Sequence, residues 1–252
     1  MMQLEICVDS VESAVAAEQG GAHRVELCSA LSDGGLTPSS GLIRAVRAQL
    51  SIGVYVMIRP RSGDFLYSDS ELDVMREDIA YAAECGADGV VFGLLTADGD
   101  VDVPRTRDLV ELSRPMEVTF HRALDTTRDI HASLERVIET GADRVLTSGT
   151  KSSAMLGARC IRDMVIAGAD RIKIMAGGGV RAANVQEISR ATGAVEFHAA
   201  LRSPVPSPVI YRDSKLHLGE AGRDEYARTA VLAKDVRQLR EALDAHAYHP
   251  AQ

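Results

Sequence analysis

The chain has 252 residues, 46% of them hydrophobic, which suits one closed barrel with a helical coat and is short for two separately cored domains. No uncharged apolar stretch approaches the ~20 residues of a membrane span. The 36 acidic and 28 basic residues are interspersed, and the net charge of −8 argues against a nucleic-acid or anionic-membrane surface.

The first element in chain order is a strand, LEICV at 4–8. A Gly-Ala-Asp/His motif then introduces an apolar run four times: GAHRVELC from Gly21, GADGVVFG from Gly86, GADRVLTS from Gly141 and GADRIKIM from Gly168. Each copy reads as a helix ending in a glycine C-cap, a short turn and a strand. The copies start 65, 55 and 27 residues apart. A helix-plus-strand unit needs about 30 residues, so the first two spacings each hold two units. The intervening strands are VYVMIR at 54–59 and EVTFH at 117–121, and VEFHA at 195–199 completes eight. Eight alternating units predict an α/β fold, a single (β/α)8 TIM barrel over residues 1–252, with its chemistry at the C-terminal ends of the strands.

Helix starts are marked by two candidate capping boxes, Asp9-Ser-Val-Glu12 and Ser68-Asp-Ser-Glu71. Two connections exceed what barrel turns require. Residues 59–68 (RPRSGDFLYS) and 202–222, with Pro204, Pro206 and Pro208, both leave strand C-terminal ends and are candidate lids. Residues 225–246 read as the closing amphipathic helix. The four cysteines form neither a CxxC pair nor a disulfide framework, and MMQLEICVDS enters a strand without a signal-peptide pattern. A reducing, cytoplasmic setting follows as the expectation.

Side chains alternate across a strand, so each run splits into two sets. One set is apolar: Leu4, Ile6 and Val8, with Val54, Val56 and Ile58 as a second example. The opposite set is polar: Glu5 and Cys7, Glu26 and Cys28, Arg59, Thr119 and His121, Lys173 and Met175, Glu196 and His198. Barrel interiors are ordinarily filled by branched apolar residues. A charged lumen requires internal pairing, because isolated buried charges are very costly.

Two readings of the cysteines stay open. Cys7 and Cys28 are either small buried thiols or a close thiolate pair suited to Cu(I), with Met175 or an imidazole as a further donor. His121 and His198 end the fifth and eighth strands, where imidazoles act as acid–base groups, as ligands or as structural hydrogen-bonders. Asp125, four residues after His121, is placed to orient that ring or to hold a substrate hydroxyl. The triple glycine Gly177, Gly178 and Gly179 precedes a helix expected near Ala182, and with Ser148 and Gly149 after strand six it outlines an anion site. Lys173 is expected to pair with Glu196 or another lumen carboxylate.

Long motifs in order along the chain resemble the CutC copper-homeostasis family. They are LEICVDSVESAVAAEQGGAHRVELC at 4–28, GGLTPS at 34–39, IRPRSGDFLYSD at 58–69, VTFHRALD at 118–125, RVLTSGTKSSAMLG at 144–157, IMAGGGVRAANV at 174–185 and EFHAA at 196–200. The resemblance implies a (β/α)8 barrel, a cytoplasmic location, a homo-oligomer (dimer or tetramer) and a role in copper handling, with Cys7 and Cys28 as Cu(I) ligands. A second reading makes the mouth an enzyme site for a small anionic or phosphorylated metabolite. Glu5, Glu26, Arg59, His121, Asp125 and His198 are then the catalytic set, and no organic cofactor is implied.

Overall fold

Short runs alternating between apolar and polar side chains are built to separate two environments. In the computed structural model, which describes residues 2–213, 224 and 226–247, eight of them close into a parallel barrel. The strands are β1 (Gln3–Val8), β2 (Arg24–Leu27), β3 (Gly53–Met57), β4 (Gly89–Phe92), β5 (Glu117–Phe120), β6 (Arg144–Thr147), β7 (Lys173–Ala176) and β8 (Glu196–Ala199). Each pairs with the next, and β8 returns to β1 with His198 opposite Glu5. The helices between them are α1 (Val11–Gln19), α2 (Ser40–Gln49), α3 (Asp69–Glu84), α4 (Val103–Ser113), α5 (Ile130–Thr140), α6 (Ala158–Gly168) and α7 (Val185–Thr192). This is the (β/α)8 arrangement expected from the repeats. No helix among the described residues is long and apolar enough to cross a membrane.

Local chemistry sets the boundaries. The Ser68–Glu71 capping box forms at the start of α3: the Glu71 amide donates to Ser68 Oγ at 3.3 Å and the Ser68 amide to Glu71 Oε2 at 2.7 Å. At α1 the cap is Ser10, whose Oγ accepts from the Ser13 amide, and not Asp9. Three of the four repeat glycines take the left-handed conformation that ends a helix, but at the fourth copy Gly168 is still helical and Ala169 carries the positive φ. Helix α7 starts at Val185, three residues later than the glycine loop suggested, because the Asn184 side chain accepts from the Arg181 amide and closes an intervening turn.

The C-terminal region also differs from expectation. Residues 202–205 form β9 (Arg202–Val205), which pairs antiparallel with β10 (Arg228–Val231), and the closing helix α8 spans only Ala233–Ala247. The part of the second long connection at 214–222, with Arg223 and Glu225, lies outside the described residues. The first long connection is pinned in place. Arg61 donates to Glu71 Oε1 at 2.5 Å and to the Leu66 carbonyl at 2.7 Å.

The two side-chain sets face where alternation puts them. Leu4, Ile6, Val8, Val25, Leu27, Val54 and Val56 are fully buried between barrel and helices. Inside the barrel a chain of ion pairs replaces the usual aliphatic layers. Lys173 Nζ meets Glu117 Oε1 at 3.1 Å, and Arg144 Nη2 meets Glu117 Oε2 at 2.9 Å. Glu196 Oε2 then accepts from both Arg144 Nε and Arg24 Nη2 at 2.6 Å, and Arg24 Nε pairs with Glu5 Oε2 at 2.6 Å. Both guanidinium groups lie over the Tyr55 ring, at 5.3 and 5.4 Å from its centroid. Burial disfavours ionised carboxylates here, but Arg24, His198 and Arg144 outweigh it and lower the Glu5 pKa to about 2. Lys173 is therefore an ion-pair partner of Glu117, while Glu196 is held by arginines.

Removing one member of such a buried network strands its partners. Arg144→Leu is expected to destabilise the fold by about 3–5 kcal/mol, whereas Lys173→Ala, half exposed at the barrel base, costs under about 1 kcal/mol. Urea unfolding of the two variants checks this, and equal losses would contradict the assignment of Arg144 to the core of the network.

Candidate functional site

The same lumen parity that carries the ion pairs upward delivers a different set of groups to the mouth. Cys7 stands opposite Glu26 across the β1–β2 pair. Cys28 follows the end of β2, on the Glu26 parity, with its amide donating to the Val8 carbonyl at 2.9 Å. The two sulfurs come within 3.8 Å, in contact but far from the ~2.05 Å of a disulfide, and all four cysteines are free. Gly35, in a left-handed turn at φ +91°, closes over Cys28, where a Cβ would stand 3.2 Å from its sulfur. Met175 is not near this pair. Its sulfur accepts from Arg24 Nη2 at 3.0 Å, deep in the lumen.

The imidazole that joins the cysteines is His198. Its Nδ1 is 2.7 Å from Glu5 Oε1 and its Nε2 is 3.8 Å from Glu26 Oε2. One ligand atom each from Cys7, Glu26 and His198 lies within 4.8 Å of the others. The Cys28 thiol hydrogen bond, aided by His198 and opposed by burial, lowers the Cys7 pKa to about 5. The same contact with Cys7, together with burial, pushes Cys28 well up. Burial and the neighbouring Cys7 thiolate raise Glu26. Burial works against protonating His198, but Glu26, Cys7 and Glu5 reverse it and raise this histidine well above the ordinary value. These directions favour a thiolate on Cys7 beside a protonated His198, with the Cys28 thiol as donor.

Cys7, Glu26 and His198 form one wall of a cavity of about 370 Å³ at the mouth, with Cys28 and Glu5 buried behind it. Arg59, Phe65 and His121 form another wall, and Gly178, Gly179 and Arg181 contribute the rim. Arg59 is fixed by carbonyls: Nη1 donates to Asp33 and Gly35 at 2.9 and 3.1 Å, and Nη2 to Gly63 at 2.8 Å. His121 Nδ1 accepts from the Ala123 amide at 3.3 Å, and its ring meets Phe65 edge-on at 4.9 Å. Burial and the Arg59 charge lower its pKa to about 3, so the ring is neutral.

Several expected members lie elsewhere. Glu5 is fully buried below the mouth and acts through His198 and Arg24. Asp125 neither touches His121 nor lines the cavity. It accepts from Thr147 Oγ1, the Ser148 and Thr150 amides and Arg122 Nε, and so braces the loop after β6. Ser148 Oγ is occupied by Asp125 and the Lys151 carbonyl, and the Gly149 amide donates to Thr147 Oγ1 at 2.9 Å. The Gly177 amide bonds the Thr147 carbonyl. Of the glycine and serine set, Gly178 and Gly179 reach the cavity. Three arginines that the sequence reading passed over, Arg122, Arg181 and Arg202, also line it. Each directly follows a recognisable strand end or loop motif, which was the available signal.

The CutC family model matches residues 2–203. The CutC family protein of Chromobacterium violaceum is 49% identical over 241 residues, covering 96% of this chain and 98% of the relative. The human copper homeostasis protein cutC homolog is 48% identical over 237 residues, covering 94% and 87%. A Streptococcus agalactiae CutC crystal structure shares 35% identity with a TM-score of 0.75, over 79% of this chain and 98% of that one.

A histidine held neutral in the fold resists protons that the unfolded chain accepts, so its contribution to stability is complete above about pH 6.5 and is lost as pH falls toward about 3. Wild type is therefore expected to lose about 2 kcal/mol more than His121→Gln between about pH 7 and about pH 5. Urea titrations at the two pH values measure this, and identical losses would show that His121 is not buried neutral.

Proposed function

The chain belongs to the CutC copper-homeostasis family, and we propose that it takes Cu(I) as cargo between the Cys7 and Cys28 sulfurs, with His198 as a further donor. The observation that carries this reading is the pair of free thiols 3.8 Å apart at the barrel mouth. Thiolates are the soft ligands that favour Cu(I), and an imidazole is compatible with them. Cys7 is already poised as a thiolate, so metal entry displaces the Cys28 proton and frees His198 Nε2 by releasing its proton. Glu5 holds the opposite ring nitrogen and fixes the orientation of the imidazole, the service an outer carboxylate gives to a metal-bound histidine. Glu26, a hard oxygen donor, is poorly matched to Cu(I) and is better suited to carry a displaced proton.

Free thiols that must stay reduced suit a cytosolic setting. The exposed Ile210 and Tyr211, on the arm that follows β9, offer an apolar contact for a second copy in a homo-oligomer.

Anaerobic Cu(I) titration against a competing chelator tests the reading. Wild type is expected to bind one equivalent. Cys28→Ser should weaken binding by at least about tenfold, and Cys7→Ser/Cys28→Ser should abolish it. Cys160→Ser, which does not line the cavity, should change nothing. Stoichiometric binding retained by the double variant would overturn the assignment.

A further inference from the structure

Copper handling uses one wall of the mouth and leaves the other unexplained. Six buried side-chain polar atoms lack a hydrogen-bond partner among the described residues, and three of them, Glu26 Oε1, Arg59 Nε and His121 Nε2, belong to residues lining this one cavity. Buried polar groups are nearly always satisfied, so three unsatisfied ones around one space indicate that something else completes them. A cavity of about 370 Å³ is also some ten times the ~30 Å³ share of a water molecule, and it falls in the size range of small-molecule sites.

The polarity of the unsatisfied atoms defines the ligand. Arg59 Nε carries a proton, its other nitrogens are fixed on three carbonyls, and the buried Tyr67 hydroxyl interacts with the same guanidinium. Since His121 Nδ1 accepts from the Ala123 amide, its neutral ring carries the proton on Nε2 and donates. Both groups pack on Phe65, which keeps them together. The lining residues include four arginines (Arg59, Arg122, Arg181, Arg202) and two acids (Glu26, Asp33), in a chain whose net charge is −8, and of the arginines Arg122 is already paired with Asp125. Gly178 and Gly179, both at positive φ, hold their loop close to the same space. Of the three atoms at this cavity, Glu26 Oε1 is the oxygen, and a ligand hydroxyl would satisfy it.

We propose that the mouth cavity binds a small hydroxylated organic anion, its acid group facing the arginines with His121 Nε2 and Arg59 Nε donating to its oxygens, and a hydroxyl reaching Glu26. None of the donors to the anion is a cysteine, although the cavity is shared with the copper reading, since Cys7, Glu26 and His198 also line it. A carboxylate and a phosphate ester share this chemistry and differ in charge and size, which the probes below separate.

Thermal unfolding and isothermal titration of the full chain with glycerol 3-phosphate, glycerate and uncharged glycerol test the proposal. A saturable rise in Tm with either anion, and none with glycerol, is the expected result. The stronger of the two identifies the acid group. His121→Ala and the exposed-site variant Arg181→Ala should each weaken binding by at least about tenfold, the loss of one charge-assisted hydrogen bond, while Cys160→Ser, which does not line the cavity, should retain it. Arg181→Ala guards against a folding defect in the buried variant. No saturable shift with either anion, an equal shift with glycerol, or binding unchanged in both variants would overturn the proposal. Loss of copper binding alone would not.

Discussion

The ion-pair chain Glu117–Arg144–Glu196–Arg24–Glu5 is the interaction on which the rest of the molecule depends. It occupies the space where a barrel normally stacks aliphatic side chains, and a buried ionic network is seldom a better source of stability than apolar packing. What it provides here is position. The chain ends at Glu5, and Glu5 holds His198 at the level of Cys7. A half-exposed carboxylate at the base of the barrel, Glu117, is thereby connected through five carboxylate–guanidinium or carboxylate–imidazole contacts to a histidine beside the mouth thiols.

That connection explains why two cysteines in contact behave differently. Cys7 receives the Cys28 hydrogen bond and faces the imidazolium, so its thiolate is favoured even though it is buried. Cys28 lies behind it, fully buried under Gly35, and keeps its proton. A pair poised in this way, with one proton to lose, is closer to a ligand set for a soft cation than two neutral thiols are. Across the cavity, His121 is held in the opposite condition, neutral against Arg59 and Phe65. The two histidines of the mouth thus differ in charge because one faces carboxylates and the other faces a guanidinium.

The barrel was legible because its signals are local. Alternation within four to six residues, the repeated Gly-Ala-Asp turn and the Ser68 capping box each act within one turn or one strand. The polar lumen set was legible for the same reason, and so were Cys7, Cys28 and His198. Arg24 and Arg144 escaped notice although they share that parity, since each opens its strand directly after a turn and looks like a solvent-facing residue. Only closure brings Arg24 to Glu196, 172 positions away. Asp125 misled for a related reason. Its spacing from His121 suggests a shared site, but the 3-10 turn at Arg122–Thr126 directs it to the loop after β6. At the C-terminus, the amphipathic pattern runs without a break through β10 into α8, and pairing with β9 separates them.

The central claim is that the network holds Cys7 as a thiolate, and the ultraviolet absorbance of thiolate followed against pH tests it most directly. One thiol per chain should ionise with a midpoint near 5, and this transition should vanish in Cys7→Ser and persist in Cys160→Ser. Titration of every thiol near the ordinary value of about 8.5 would contradict the account.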